Sequence, residues 1–200
     1  MADHLEIEQK YEADAHFVLP ALAGLPGVAQ QTDPEVYHLD ATYYDTEDLA
    51  LQRAKVTLRR RTGGSDAGWH LKLPVSIDTR REVREPLGGT EVPLGLVVRV
   101  ADLTAGGPLI PVASLKTERT VRRLISQAGV MLAEIADDQV TARRLGPARG
   151  EPLSWREIEV EAGEAAGDAT DLMAAVGRRL RDAGAGPAKS ASKVGRILSS

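Results

Sequence analysis

Glu6-Ile7-Glu8-Gln9-Lys10, inside the strand-like run His4 to Glu12, decides how the rest of the chain is read. Successive side chains on a strand point to opposite faces, so Glu6, Glu8 and Lys10 share one face and Leu5, Ile7 and Gln9 the other. One ionised face is what a solvated antiparallel sheet shows. Here the pattern returns downstream, with Arg, Lys or Glu two residues apart on nearly every later strand. If the strands close on themselves with these faces inward, the interior is a charged cavity, and such a cavity makes sense when it holds something charged.

Working outward, Ala13 to Gly24 mixes Phe17, Val18, Leu19 and Leu22 with Pro20 and reads as a short helix ended by proline. Val36 to Asp45 is a strand, rich in β-branched and aromatic residues. Thr46 to Leu51 is a helical turn capped by Asp45 or Thr46. Lys55 to Thr62 alternates Val56 and Leu58 with Thr57, Arg59 and Arg61; 63–66 is a hairpin loop; Trp69, Leu71 and Leu73 then alternate with His70 and Lys72. In the fifth strand, Thr79 to Leu87, Arg80, Glu82 and Arg84 oppose Arg81, Val83 and Glu85, and alternation does not tell which set is inside.

Thr90 to Leu103 is expected to be helical, followed by long strands over Val112 to Ser126 and Val130 to Arg144. Gly146 to Glu151 is a loop and Leu153 to Ala162 a last strand, where Glu157, Glu159 and Glu161 alternate with Ile158 and Val160. Ala169 to Ala183 is the clearest amphipathic helix. The tail Lys189 to Ser200 is basic, with Val194, Ile197 and Leu198 available to pack.

The 200 residues, 42% hydrophobic and 27% charged, support a single globular domain over 1–200. The absence of cysteine excludes disulfides and thiolate metal sites. No apolar run approaches a membrane span, and Met1 to Gln9 carries acids where a secretory signal has a basic region, so a cytoplasmic protein without a membrane partner is expected. A net charge of −4 gives no reason to expect nucleic acid as a partner. The four histidines show no metal-ligand spacing, and neither a nucleophile elbow nor a phosphate-cradling glycine loop occurs. Trp69, Tyr43, Tyr44 and Trp155 read as core or barrel wall rather than as base-stacking platforms.

Glu6, Glu8, Glu82, Glu134, Asp138, Glu157 and Glu159 supply carboxylates; Lys10, Arg59, Arg61, Lys72, Arg80 and Arg119 supply cations. Both signs inside one barrel could satisfy themselves by internal salt bridges. Alternatively the cations bind an oxygen-rich anion while the carboxylates hold hard metals, and several fixed cations suit a polyphosphate better than a carboxylate metabolite.

These motifs, in this order, resemble the CYTH domain of the triphosphate tunnel metalloenzyme superfamily. Glu6, Glu8 and Lys10 match its N-terminal E-x-E-x-K; Tyr43-Tyr44-Asp45-Thr46 its Y-[YF]-D-T; Leu58 to Arg61 its L-R-x-R; Trp69 to Lys72 its lysine-bearing strand. Arg80 and Glu82 are similar to its R-x-E, Thr117 to Arg119 to its T-x-R, Glu134 to Asp138 to its E-[IV]-A-x-D, Glu157 and Glu159 to its late E-x-E, and Ser192-Lys193 to its C-terminal S-K. The resemblance implies an α+β fold: a closed antiparallel eight-stranded β-barrel forming a tunnel, with helices packed outside. It turns Arg80, Glu82 and Arg84 inward, and leaves the inward acid between Asp137 and Asp138, with the period from Glu134 favouring Asp138.

By the same resemblance the expected activity is divalent-metal-dependent hydrolysis of inorganic triphosphate. Lys10, Arg59, Arg61, Lys72, Arg80, Arg119 and Lys193 clamp phosphates, in a substrate site that includes Glu82 and Arg84. Glu6, Glu8, Glu157 and Glu159 hold Mg²⁺ or Mn²⁺, and Glu134 and Asp138 assist. The alternatives are an adenylate cyclase of the same superfamily and a non-catalytic polyphosphate-binding module. Bacterial members often continue into a CHAD domain associated with polyphosphate, so this chain is expected either to stand alone or to be the N-terminal part of such a protein. Oligomeric state is not legible.

Overall fold

The computed structural model describes residues 2–146, 150–163 and 169–199; residues 147–149 of the expected loop, Met1 and Ser200 lie outside them. In chain order the elements are β1 (Ala2–Ala13), β2 (Gln30–Gln31), β3 (Glu35–Asp45), α1 (Ala50–Arg53), β4 (Thr57–Thr62), β5 (Gly68–Pro74) and β6 (Thr79–Pro86). There follow α2 (Leu94–Thr104), β7 (Ile110–Ile125), β8 (Met131–Arg144), β9 (Leu153–Ala162), α3 (Thr170–Asp182), β10 (Gly186–Pro187) and α4 (Lys193–Leu198).

β1 closes the sheet. Its first half pairs antiparallel with β6, from Ala2 opposite Arg84 to Ile7 opposite Thr79. Its second half pairs with β9, from Glu8 opposite Glu161 to Ala13 opposite Arg156. The circuit β1-β6-β5-β4-β3-β7-β8-β9 returns to β1, so the eight long strands form a closed antiparallel barrel with the two-residue strands β2 and β10 at its margins. Closure removes the unpaired edges that an open sheet of this size would carry.

The outer face is covered in patches. Under α1 and α2 lie Leu58, Trp69, Leu71 and Val83, and the full burial of Val83 identifies the outward side of β6, leaving Arg80, Glu82 and Arg84 inside. α3 and the segment 17–28 cover Tyr11, Ile135, Ile158 and Val160. α4 differs: Val194, Ile197 and Leu198 pack on Tyr43, Leu115, Val140, Ala142 and Trp155. By register Tyr43 lies beside Arg59 and Val140 two residues from Asp138, so α4 seats into one end of the barrel interior. Arg196 holds it there, with bidentate bonds of 2.8 and 2.9 Å to Glu12 and its guanidinium 4.7 Å above the Trp155 ring.

Three expectations need correction. Ala13 to Gly24 is not helical but a turned, extended segment. Its backbone groups are met from a distance: Gln31 accepts from Leu22 N at 2.9 Å, Arg156 donates to Phe17 O at 2.8 Å and Arg179 to Ala21 O at 3.1 Å. Phe17, Leu22, Leu25 and Val28 then reach the core without a helical period. In Thr46 to Leu51 the expected capping residues lead a turn, and the helix begins later, at Ala50, and runs to Arg53. The Asp45 carboxylate accepts from the N–H of Thr46, Leu51 and Gln52 at 2.7, 2.8 and 2.9 Å, and Thr46 Oγ1 from Ala50 N at 2.9 Å. The basic tail, read only as chain available to pack, forms α4.

α3 approaches β1 closely because residue 177 has no side chain. A Cβ there would fall 2.2 Å from Tyr11 Oη, which donates to Gln9 at 2.7 Å. Gly177→Ala is expected to destabilise the fold by about 1–3 kcal/mol through overpacking, lowering the melting temperature by about 2–4 °C per kcal/mol. A melting curve equal to wild type would contradict the packing described.

Candidate functional site

The inward faces enclose a cavity of about 540 Å³, lined from Gln52, Lys55 and Ser190 to Lys193 beside α4 to Met131 and Glu134 at the opposite end of β8. Period two on β1 sends His4, Glu6, Glu8 and Lys10 into it; register brings Glu159 and Glu161 beside Lys10 and Glu8, and Arg80 and Glu82 beside Glu6 and His4. From the facing wall come Arg59, Arg61, Lys72 and Arg119.

The centre is cationic. Arg59 donates to Tyr43 Oη at 3.3 Å, Arg61 pairs with the Asp66 carboxylate, and yet the Nε of both Arg59 and Arg61 is buried with no hydrogen-bond partner among the described residues. Burial, with Arg59 and Arg119 nearby, pulls the Arg61 guanidinium down to about 9. Against the cost of its own burial, the Tyr43 phenol is lowered by Arg59, Lys193 and Lys72. His70, inward with Lys72, bridges Glu82 Oε1 at 2.8 Å and the Asp66 carbonyl at 2.9 Å, so the β4–β5 loop is tied to the cavity wall.

The carboxylates form two groups rather than one. Asp138, Glu157 and Glu159 lie together, as do His4, Glu6 and Glu161, each set with ligand atoms within 4.8 Å of one another. The first is already neutralised. Arg119 grips Asp138 at 2.7 and 2.6 Å and Glu159 at 2.6 Å, while Lys193 lies 2.9, 2.6 and 2.6 Å from Asp138, Glu157 and Glu159, and Lys10 also pairs with Glu159. Against the cost of burial, Lys10, Lys193 and Arg119 hold the Glu159 carboxyl well below the usual range.

The second group is short of cations. Glu6 has Lys72 Nζ at 2.5 Å, with Arg84 and His4 at 3.7 and 3.8 Å. Burial, with Glu6, Glu8 and Glu134 nearby, pushes Glu161 up to about 7. Crowded carboxylate oxygens that resist losing their last proton suit a hard divalent ion, which relieves the repulsion and prefers oxygen ligands. The donor set His4, Glu6 and Glu161 therefore fits a hard divalent metal ion.

The other expected residues fall as follows. Glu157 and Glu159 are not gathered with Glu6 and Glu8 as one ligand set, because register places Glu161, not Glu159, opposite Glu8. Asp138 points inward and is fully buried, whereas Asp137 points outward and pairs with Arg156 at 2.8 Å. Glu134 lines the cavity with Arg123 at 3.1 Å. Arg80 lines it too while bracing its own turn through Ser76, Ile77 and Thr79 carbonyls at 2.9, 3.2 and 3.2 Å. The partly exposed Arg84 pairs with the buried Glu82. Glu161, His4, Tyr43 and Asp66 were not expected in the site. Glu161 is the third acid of the run Glu157-Glu159-Glu161, so its signal was present; His4 extends the β1 period by one step toward the N-terminus.

Glu161 gives a pH dependence. Its folded pKa is raised, so between about 4.5 and 7 the folded chain holds a proton that the unfolded chain releases, and stability falls as pH rises through that window. Metal-free protein is expected to melt lower at pH 8 than at pH 5.5, with Mn²⁺ restoring much of the difference and Glu161→Gln flattening it. Scanning calorimetry of both proteins checks this; an equal slope in the variant would contradict it.

The sequence matches the CYTH domain family over residues 4–181. Uncharacterised proteins of two Mycobacterium tuberculosis strains are 41% identical over 208 aligned positions, which cover 98% of this chain and 40% of theirs. The chain thus spans 40% of the length of these curated relatives. Among solved structures, a putative adenylate cyclase from Bacillus halodurans superposes with a TM-score of 0.66 at 18% identity, covering 99% of this chain and 100% of that one. A putative adenylyl cyclase from Hippeastrum, described as having a dominant triphosphatase activity, gives 0.53 at 15% identity over 97% of this chain and 95% of that one. At these identities the likeness is one of fold.

Proposed function

Since this chain belongs to the CYTH domain family, we propose that its tunnel binds inorganic triphosphate and hydrolyses a phosphoanhydride bond with the help of Mg²⁺ or Mn²⁺. One observation carries the reading: two buried guanidinium Nε–H groups, of Arg59 and Arg61, have no partner among the described residues and stand beside Arg119 and Lys72 in a cavity whose other side is acidic. Unpaired buried cationic donors are costly, and an anion with several separate oxygens satisfies them together.

In this reading Arg59, Arg61, Lys72 and Lys10 take the phosphoryl oxygens, with Arg80 and Arg84 toward the opening. Arg119 and Lys193 are held in place by Asp138, Glu157 and Glu159 and face the same anion from α4's end. Glu6 and Glu161, with His4 beside them and Glu8 opposite Glu161, would hold the divalent ion, which when bound supplies Lewis-acid neutralisation of phosphoryl charge and acidifies water. Glu134, beside them in register with Glu161, orients the attacking water, and the Tyr43 hydroxyl hydrogen-bonds to the leaving oxygen. Positioning and charge neutralisation of this kind account for most of the catalysis of phosphoryl transfer. We place the protein in the cytoplasm; no helix among the described residues is long and apolar enough to cross a membrane. A linked CHAD domain belongs to the same reading, as a neighbour that also handles polyphosphate.

The names of the structural neighbours support a second reading, cyclisation of ATP. Against it, among the described residues only Tyr43 and the imidazole of His4 put rings on the cavity wall, which leaves little to stack a base. Phosphate release from inorganic triphosphate, ATP and long-chain polyphosphate, in Mg²⁺, Mn²⁺ or EDTA, separates the readings. Metal-dependent release, fastest with triphosphate, is expected. Cyclic AMP from ATP would select the cyclase, and tight polyphosphate binding without release in any metal would select a receptor.

A further inference from the structure

Beside α4 the cavity wall carries a lysine that the triphosphate site just described does not use. Lys55 has φ of +59°, in the left-handed region that glycine occupies without penalty. A side chain there costs about 1 kcal/mol, and strain of this kind persists where the surroundings impose it. The surroundings do so here: Lys55 N donates to Gln52 O at 3.0 Å and Val56 N to Leu51 O at 2.9 Å, while the buried Asp45 carboxylate fixes the N–H groups of Leu51 and Gln52. The strained position nevertheless bears a long cation, and that cation lines the cavity.

Its neighbours on the wall are donors. Lys55, Thr57, Arg59 and Arg61 all line the cavity at every second position, about 6.6 Å apart along the chain where it is extended. Thr57 thus lies between Lys55 and the guanidinium centre. Gln52 lines the wall next to Lys55, with its amide against α4, where a Cβ on Gly195 would come within 3.0 Å of Nε2. Ser190 and Ser192 line the cavity from the segment leading into α4. Among the described residues Lys55 forms no ion pair, in contrast to Lys10, Lys72 and Lys193. An ammonium outside any ion pair among the described residues, flanked by an amide and hydroxyls, recognises an oxyanion and not a nucleobase.

We infer that Lys55, with Gln52 and Thr57, forms an additional phosphoryl subsite that continues the cationic centre toward α4 and takes the fourth phosphoryl group of a linear inorganic chain. The inference rests on the tunnel being a triphosphate site. It makes Lys55 a determinant of chain-length preference and leaves the triphosphate contacts intact.

The test is competition binding of linear inorganic triphosphate and tetraphosphate to the whole chain in EDTA, comparing wild type with Lys55→Gly and Lys55→Arg. Glycine suits the backbone at this position, so Lys55→Gly is expected to melt no lower than wild type. It should bind triphosphate within about twofold of wild type and lose about tenfold for tetraphosphate, the scale of one contact to a charged group. Lys55→Arg should keep the wild-type preference. Equal losses for both anions, or no loss for either, would overturn the subsite and leave the triphosphate tunnel standing. Wild type that binds neither anion would overturn both.

Discussion

Glu8→Gln is expected to leave the barrel folded and to lower turnover of inorganic triphosphate by about a thousandfold, equivalent to about 4 kcal/mol of transition-state stabilisation. Against the cost of burial, Lys10 and Lys72 hold the Glu8 carboxyl below its ordinary pKa, so wild type presents a full negative charge at neutral pH. Glutamine keeps the shape and removes that charge from beside Glu161, which lies opposite it on β9. Folding survives because Lys10, 3.2 Å from Glu8, also pairs with Glu159, and because removing one carboxylate eases the crowding at Glu161. A ³¹P NMR time course in Mn²⁺, beside a cooperative melting curve lowered by only about a few degrees, checks both halves. A variant with near-wild-type turnover would remove Glu8 from the metal-binding set.

Asp138→Ala is expected to act the other way, through the fold. The carboxylate is fully buried, gripped by Arg119 at 2.7 and 2.6 Å and by Lys193 at 2.9 Å. Against the cost of burial, Arg119 and Lys193 hold it below its ordinary value of 3.8, so its contribution is present above that pH and is lost as pH falls through the lower folded pKa. Alanine leaves two buried cations sharing Glu159 and Glu157, and removing one partner of such a network costs about 3–5 kcal/mol. Lys193 then loses part of what draws α4 into the barrel, and the melting temperature should fall by about 10 °C. An unchanged melting temperature with lost turnover would move Asp138 among the groups that touch substrate.

These two acids share the inward face and a family motif each, yet their surroundings give them different work. The inward face itself was legible from period-two alternation: Glu6, Glu8 and Lys10 point where the pattern sends them, as do Arg59 with Arg61 and Glu134 with Asp138. Alternation failed on β6, where both faces are charged and what decides the side is the next element, α2, closing over Val83. The helix read over 13–24 failed for another reason: the backbone there is satisfied by Gln31, Arg156 and Arg179, partners that local propensity does not register.

Which acids meet was harder to read than which face they share. Grouping Glu6, Glu8, Glu157 and Glu159 by motif ignores register, and the β1–β9 pairing sets Glu161 opposite Glu8. The neutralisation of Glu157 and Glu159 depends on Lys193, delivered by a helix of six residues whose apolar positions carry too few turns to show a period. Lys55 gave no signal either, because a left-handed backbone at a lysine is imposed by the Asp45 network and not by the residue itself.

The central claim is that the guanidinium centre is a receptor for a triphosphate. Calorimetric titration of inorganic triphosphate into the wild-type protein in EDTA, repeated at rising salt and with Arg59→Ala, tests it most directly. Saturable one-to-one binding is predicted, weakening as salt screens the charges and lost by at least about tenfold in the variant. No saturable heat at low salt, or binding that ignores Arg59, would contradict it.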